Sequence, residues 1–413
     1  MNTNPTAPAR RYDLDWLRVI AILLLLYFHT AMIFAAEWDW HIKSEDTSHA
    51  LLELNYFLSR WRMALLFLIS GIGTAYALGK RTPGAYLKER ATRLAVPVIF
   101  GVLVIVPPQI YFERIADGAA YASFLDFWPS VFEMRFYPAG NTSWHHLWFV
   151  AYLFLYSLAA LPFFLYLRTP RGRRLHERIE RLLVRGTPYL FALQLAATMA
   201  LLLPHFRGPQ NIVNDWAFLL YYFQFFVYGY ILCDAPKLWA EVERLRRTSL
   251  GLATLSIVLL NVIRWNGLEP RLGYTVEAIG FRALEVMNAL CWVLAILGYA
   301  KRHLNFRNRL LDYANEGIYP FYILHQTVIV MVGYYAVQVK EDALMMFLFV
   351  STASLLLTVA TYEFVVRPYA PMRFLFGMKP APRSPRPAAV PALGLAPASA
   401  ALGEPAARAE ARV

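Results

Sequence analysis

Runs of about 20 apolar residues return along almost the whole chain, and no other feature limits its fold so tightly. Inside a bilayer each backbone N–H and C=O must be satisfied by the structure itself, which leaves helices and closed barrels. The apolar residues come in long stretches rather than in alternation, so the expectation is an all-α, polytopic integral membrane bundle. Ten transmembrane helices are predicted, over residues 15–36, 62–79, 94–111, 146–167, 188–204, 216–233, 249–264, 278–300, 316–337 and 343–366, each to within a few residues. Composition agrees: of 413 residues 58% are apolar and only 16% charged, and the mean hydropathy is +0.40. Pro97, Pro107, Pro108 and Pro162 fall inside spans, where neighbouring helices can take up the freed backbone groups.

The net charge of +12 does not point to nucleic acid, because the basic residues sit between the apolar spans. With the N-terminus in the cytoplasm, three quarters of the 40 Lys and Arg fall on the cytoplasmic side, as the positive-inside rule requires. Ten spans then bring both termini to the cytoplasm. The first apolar run reads as a retained helix rather than a cleaved signal. Residues 1–11 are expected to be a disordered N-terminus, 12–376 the membrane domain, and 377–413 a disordered Pro- and Ala-rich cytoplasmic tail. Cys233 and Cys291 lie within apolar spans and form neither a disulfide framework nor a zinc site.

Ionisable residues inside apolar spans are strongly disfavoured and read first as functional. Arg18 and His29 share the first span. Eleven residues on a helix put them about 16 Å apart in depth and within about 20° of one face. One cation near the membrane surface and one imidazole deep inside, on one line, suit two stations along a single long substrate. A neutral imidazole there can serve as a general base without a permanent charge, or it can be a hydrogen-bonded packing residue. Asp15, one turn before Arg18, is expected to pair with it, either as a structural cap or to hold it for a ligand.

Arg90 and Arg93 lie one helical turn apart just before the third span. Two guanidiniums there suit a phosphate, and they equally suit an anchor on lipid headgroups. His325, mid-depth in the ninth span, is a second candidate by the same membrane argument. Glu285 and Glu363 are unfavourable in lipid and expected to pair inside the bundle. Trp148 reads as an interface anchor or a pocket wall. The outer loops carry Glu37-Trp38-Asp39-Trp40-His41 and Trp128, Trp144, His145 and His146, aromatics that mark an interface belt and also stack on sugars. No spacing suggests a metal, and no nucleophile elbow, Walker loop or dinucleotide fingerprint is present.

Leu14-Asp15-Trp16-Leu17-Arg18, running on to Tyr27-Phe28-His29-Thr30, resembles the opening helix of the membrane-bound acyltransferase-3 family, which is marked by a basic residue, ten positions, then His. Arg90-Ala91-Thr92-Arg93 matches the family's R-x-x-R motif. His146-Leu147-Trp148-Phe149, the segment Tyr319 to His325, and Glu363 to Pro368 match weaker signposts. The order agrees from about residue 12 to 376. Within the family the chain is similar to the glucan-succinylating branch, on Glu37-Trp38-Asp39-Trp40-His41, Trp61 to Gly71 and Val106-Pro107-Pro108-Gln109.

The resemblance implies an O-acyltransferase of the bacterial inner membrane. It implies an acyl-CoA co-substrate (succinyl-CoA or acetyl-CoA) from the cytoplasm, with no tightly bound cofactor, and a glycan acceptor from the periplasm or cell surface. It places CoA phosphates near Arg90, Arg93 and Arg18, and makes His29 the general base or a transient acyl carrier, with His325 as a second catalytic candidate. Asp15, Trp148 and Glu363 are then expected around the substrate. Membrane lipids are the remaining partner. Arg60 and Arg62 are placed, on charge alone, to meet a dicarboxylic acyl chain. The rival class is a proton-coupled transporter or flippase for an anionic or lipid-linked molecule, which a buried His and broken spans also suit. No inverted repeat supports it, and a purely structural subunit would leave the intramembrane histidines unexplained.

Overall fold

The computed structural model describes residues 10–206, 208 and 210–380. Among the described residues all long elements are helices, and no strand forms beyond two isolated bridges. α1 (Tyr12–Phe34) and α2 (His49–Gly79) are followed by α3 (Pro83–Ala116), a long interrupted helix. Short turns lead to α4 (Trp148–Ala159) and α5 (Leu161–Leu167), a pair bent by 50° just before Pro162. α6 (Pro170–Gly186) is short, basic and amphipathic. There follow α7 (Phe191–Leu202), α8 (Trp216–Cys233), α9 (Pro236–Arg244), α10 (Arg246–Trp265), α11 (Val276–His303), α12 (Arg309–Ala336), α13 (Ala343–Thr361) and α14 (Ala370–Leu375). The predicted N-terminal and C-terminal tails lie mostly outside the described residues. Residues 377–380 are described, and the Gly377 carbonyl accepts from Arg93 Nε at 3.1 Å.

Seven helices are long and apolar enough to cross a membrane, or eight if the bent pair α4–α5 counts as one span, against the ten predicted. The two others are helical but differ in kind. The span predicted at 188–204 is a shorter apolar helix, Pro188–Leu202. The span predicted at 316–337 lies in α12, whose apolar run is diluted by Pro320, His325 and Gln326. α2 also starts earlier than the predicted residue 62, because its polar first turns have partners in the bundle. Glu53 pairs with Arg264, and Arg60 Nη1 donates to Glu285 at 2.7 Å.

α3 shows how prolines are absorbed. Pro97 lacks an N–H, and its ring displaces the carbonyl four residues back. Ala91–Ala95 widens into a π-helix, and the Arg93 carbonyl accepts instead from Tyr319 Oη at 2.9 Å. The pattern repeats before Pro107. Gly101–Ile105 is π-helical, and the Leu103 carbonyl takes Trp128 Nε1 at 2.8 Å. Side chains thus satisfy carbonyls that water cannot reach.

Without a hydrophobic force between helices in lipid, close backbone approach holds the bundle. α2 and α8 meet at Gly71 and Gly229, where a Cβ would collide with the facing carbonyls of Phe226 and Leu68. α1 occupies the centre of the fold, packed by α2, α11, α12 and α13. Its buried side includes Leu25, Leu26, Ala31 and Ile33.

Candidate functional site

α1 and α12 run parallel, tied by polar contacts at two depths. Arg18 Nη2 donates to Asn315 Oδ1 at 2.6 Å, and about three helical turns further along His29 Nδ1 meets His325 Nε2 at 3.0 Å. Eleven residues on one helix are matched by ten on the other, so both carry their polar groups along one shared seam.

The protonation of the deeper pair follows from its outermost partner. His325 Nδ1 lies 2.6 Å from the Tyr322 carbonyl, which can only accept, so Nδ1 carries the hydrogen. His325 Nε2 is then an acceptor in the neutral ring, and His29 Nδ1 donates to it. That leaves the lone pair of neutral His29 on Nε2, with no hydrogen-bond partner among the described residues. The two rings stack at 5.1 Å and 11°, and Trp40 stacks on His29 at 6.1 Å. His325 is fully buried, while His29 retains partial exposure. The arrangement is a base whose tautomer is fixed by a second imidazole and a backbone carbonyl.

A third histidine packs edge-on to His325, with ring centroids at 5.2 Å. His146 Nε2 donates to the Ile323 carbonyl at 3.0 Å, so its Nδ1 faces Gln109 Nε2 at 3.4 Å as an acceptor. Gln109 Nε2 also donates to Thr327 Oγ1 at 2.7 Å, and Gln109 Oε1 accepts from Gln326 Nε2 at 3.0 Å. Beyond Gln326 lie His41, Glu113 and His145, each with one ligand-type atom within 4.8 Å of the others. His41 already pairs with Glu113, which also accepts from Tyr137 Oη at 2.7 Å.

At the other end of the seam a cavity of about 450 Å³ opens between α1, α2, α3, α4 and α12. Arg18, Arg90 and Arg93 line it together with Lys80, Arg81 and Asn315. Arg90 Nη2 donates to Thr74 Oγ1 at 3.2 Å, and Arg93 shares Glu89 with Arg81. One acid facing five cations leaves excess positive charge for an anionic guest. The lining ends at Ile22, Leu66 and Phe149, so the cavity stops about two helical turns short of His29 on α1.

Of the residues singled out from sequence, Arg18, Arg90 and Arg93 are brought together in this cavity, and His29 and His325 at the deeper centre. Asp15 pairs with Arg18 at 3.2 Å and with Arg10 at 2.8 Å, and is not itself part of the cavity's lining. Trp148 is buried among Phe67, Tyr152 and Tyr222 and does not line the cavity. Glu363 lies in a π-helical turn after α13, paired with Arg367 at 2.9 Å and away from the cavity. Glu285 pairs within the bundle, with Arg60 and Arg282. Sequence reasoning misses Asn315 and Lys80, and meets Gln109 only as part of a resemblance, with no role. Uncharged amides carry little signal in sequence, and Lys80 reads as a loop anchor.

The bundle thus holds a pair of imidazoles in its interior and a cationic cavity at the other end of the same seam. Residues 11–363 match a family profile described as an acyltransferase domain, and the chain belongs to this acyltransferase-3 family. The protein is thus a multi-pass membrane acyltransferase. It is similar to glucans biosynthesis protein C of Escherichia coli O81 (strain ED1a), at 24% identity over 344 residues, covering 80% of this chain and 85% of that one. The same protein of Escherichia coli strain K12 matches at the same identity and coverage. No solved structure matches the chain.

Proposed function

We propose that this protein is an inner-membrane O-acyltransferase that moves an acyl group, with succinyl as the favoured chain, from acyl-CoA to hydroxyls of a periplasmic or cell-surface glycan. The observation that carries the reading is the free lone pair on His29 Nε2, fixed there by the Nδ1–His325–Tyr322 carbonyl relay. The charge distribution of the loops supports a cytoplasmic N-terminus, which makes the arginine cavity the donor's entrance. There Arg18, Arg90 and Arg93 suit the nucleotide and diphosphate of CoA, with Asp15 holding Arg18. The pantetheine arm then runs along the α1–α12 seam, and the stretch between Ile22 and His29 must open for the thioester to pass.

His29 Nε2 takes the proton of the acceptor hydroxyl as its oxygen attacks the thioester carbonyl. The tetrahedral adduct collapses, the C–S bond breaks, and the departing CoA sulfur takes the proton back from the His29 imidazolium. The products are an ester and free CoA, and the histidine pair is restored. His325 is a catalytic partner through its hydrogen bond, which stabilises the imidazolium and orients the ring. The likeness to a glucans biosynthesis protein of Escherichia coli supports a sugar acceptor.

The test is transfer in proteoliposomes, with labelled succinyl-CoA on the arginine side and glucan on the other. Ester-linked label on the glucan, lost in His29→Ala and retained in Met331→Ala, is the expected result. Movement of glucan or lipid without acylation would overturn the proposal in favour of a carrier.

A further inference from the structure

The middle of α2 carries two arginines, Arg60 and Arg62, and only one of them is neutralised. Arg60 pairs with Glu285, an acid that Arg282 of α11 shares, and on α10 Arg264 pairs with Glu53. Arg62 is different. It is 3% exposed, has no carboxylate within ion-pair distance among the described residues, and leaves Nε and Nη1 buried without a hydrogen-bond partner. Its guanidinium lies 3.9 Å from the ring centroid of Phe28. A buried, unpaired guanidinium is strongly disfavoured unless something supplies the missing charge. The face of an aromatic ring supplies only part of it.

The position gives that unpaired cation a meaning. Phe28 is the residue before His29, and their ring centroids are 5.3 Å apart. Two short steps, of 3.9 Å and 5.3 Å, therefore separate the cation from the proposed base. Seven residues back on the same face of α2, Asn55 is fully buried with both amide atoms unpartnered. An unpaired cation thus stands beside the reacting centre, with an unpartnered amide about two turns away along α2. A guest bound there must be short, since a four-carbon diacid spans ~4 Å between its carbonyl carbons.

We propose that Arg62 forms an anion subsite for the far carboxylate of the acyl group, so that the enzyme selects a short dicarboxylic thioester over an acetyl thioester. The proposal rests on the acyl-CoA reading above. A guanidinium meets a carboxylate with a planar fork of donors, and the two ends of the diacid are then told apart. The carboxylate sits on Arg62 and the thioester carbonyl faces His29. An acetyl group offers no such handle and leaves the cation unpaired.

The experiment measures transfer to glucan from succinyl-CoA and from acetyl-CoA in proteoliposomes, for the wild type, Arg62→Met and Arg62→Lys. Thermal unfolding with and without free succinate, against acetate as the control, is recorded on the same preparations. Wild type should prefer succinyl-CoA. Arg62→Met should lose about 100-fold with succinyl-CoA and under 3-fold with acetyl-CoA, with Arg62→Lys between. Succinate should raise the wild-type unfolding temperature and leave that of Arg62→Met unchanged. Equal losses with both donors, or a wild type that prefers acetyl-CoA, would overturn the subsite. A wild type that transfers from neither donor sinks the acyl-CoA reading instead. In that case the succinate shift alone decides Arg62: its loss in Arg62→Met keeps the anion subsite, and its absence in the wild type removes it.

Discussion

The α1–α12 seam carries two polar stations that are built in opposite ways. At the Arg18–Asn315 station charge is permanent and the side chains stay wet: Arg18 is 42% exposed and Arg93 41%. At the His29–His325 station the groups are neutral and stacked, with His325 fully buried and only His29 partly open. The difference follows from the penalty of desolvation. A guanidinium keeps its charge and must stay near water or an anion, while an imidazole can enter the interior uncharged and take a proton only when chemistry requires it. A long substrate with phosphates at one end and a reactive carbonyl at the other meets both kinds of group in the right order.

The sharpest way to break this contrast is to remove the deep base. His29→Asn keeps a polar group near the Nδ1 position but removes the basic Nε2, and transfer should fall by about 10³-fold or more, with donor affinity nearly unchanged. Single-turnover transfer and equilibrium binding of CoA separate the two quantities. A variant that loses binding rather than rate would move His29 into the donor cavity and erase the distinction between the stations. Wild-type turnover should also fall in acid, because protonating Nε2 removes the attacking base.

His325 is expected to matter less, since it acts through His29. His325→Ala removes the acceptor for His29 Nδ1 and frees the ring to turn, with an expected loss of about 10²-fold. His325→Gln, which offers an amide oxygen in a similar place, should recover part of it. A purely structural role would lower the unfolding temperature in proportion to the activity loss, and would show no such recovery.

How much of this is legible in the sequence depends on distance along the chain. The in-line placement of Arg18 and His29 follows from helical period alone, as does the pairing of Asp15 with Arg18. The R-x-x-R pair reads as cations suited to a phosphate or to lipid headgroups, and the cavity it shares with Arg18 depends on α1 and α3 meeting, which no local pattern reveals. The partnership of His29 with His325 spans 296 residues and depends on α1 and α12 running parallel, which no local pattern reveals. The count of spans departs from expectation for a related reason. α12 is held in the bundle through Thr327, Gln326 and His325 contacts, and these same polar groups lower its apolarity. Nor can the sequence separate Arg60 from Arg62, two residues apart, when one finds an acid on α11 and the other does not.

The wet station should respond more gently. Arg90→Ala and Arg93→Ala each remove one of several cations, and each should raise the donor KM by about 10-fold, with kcat within about 2-fold. The effect should shrink in high salt, because these side chains are open to solvent. A fall in kcat at unchanged KM would instead tie the cavity to the chemical step.

The smallest effect is expected at Glu363, and its size tests where the binding surface ends. Its carboxylate pairs with Arg367 one turn on, in a geometry where side chains remain 28% and 41% exposed. Such pairs contribute about 0.5 kcal/mol at most, and salt screens them further. Arg367 also reaches Glu316 at 3.6 Å, so Glu363→Gln leaves that cation with a second acid. Transfer kinetics should therefore stay within about 2-fold of wild type, and the unfolding temperature should move by no more than about 1–2 °C. A tenfold rise in donor KM would extend the cationic station beyond the cavity's lining, onto the turn after α13, and would add Arg367 to it.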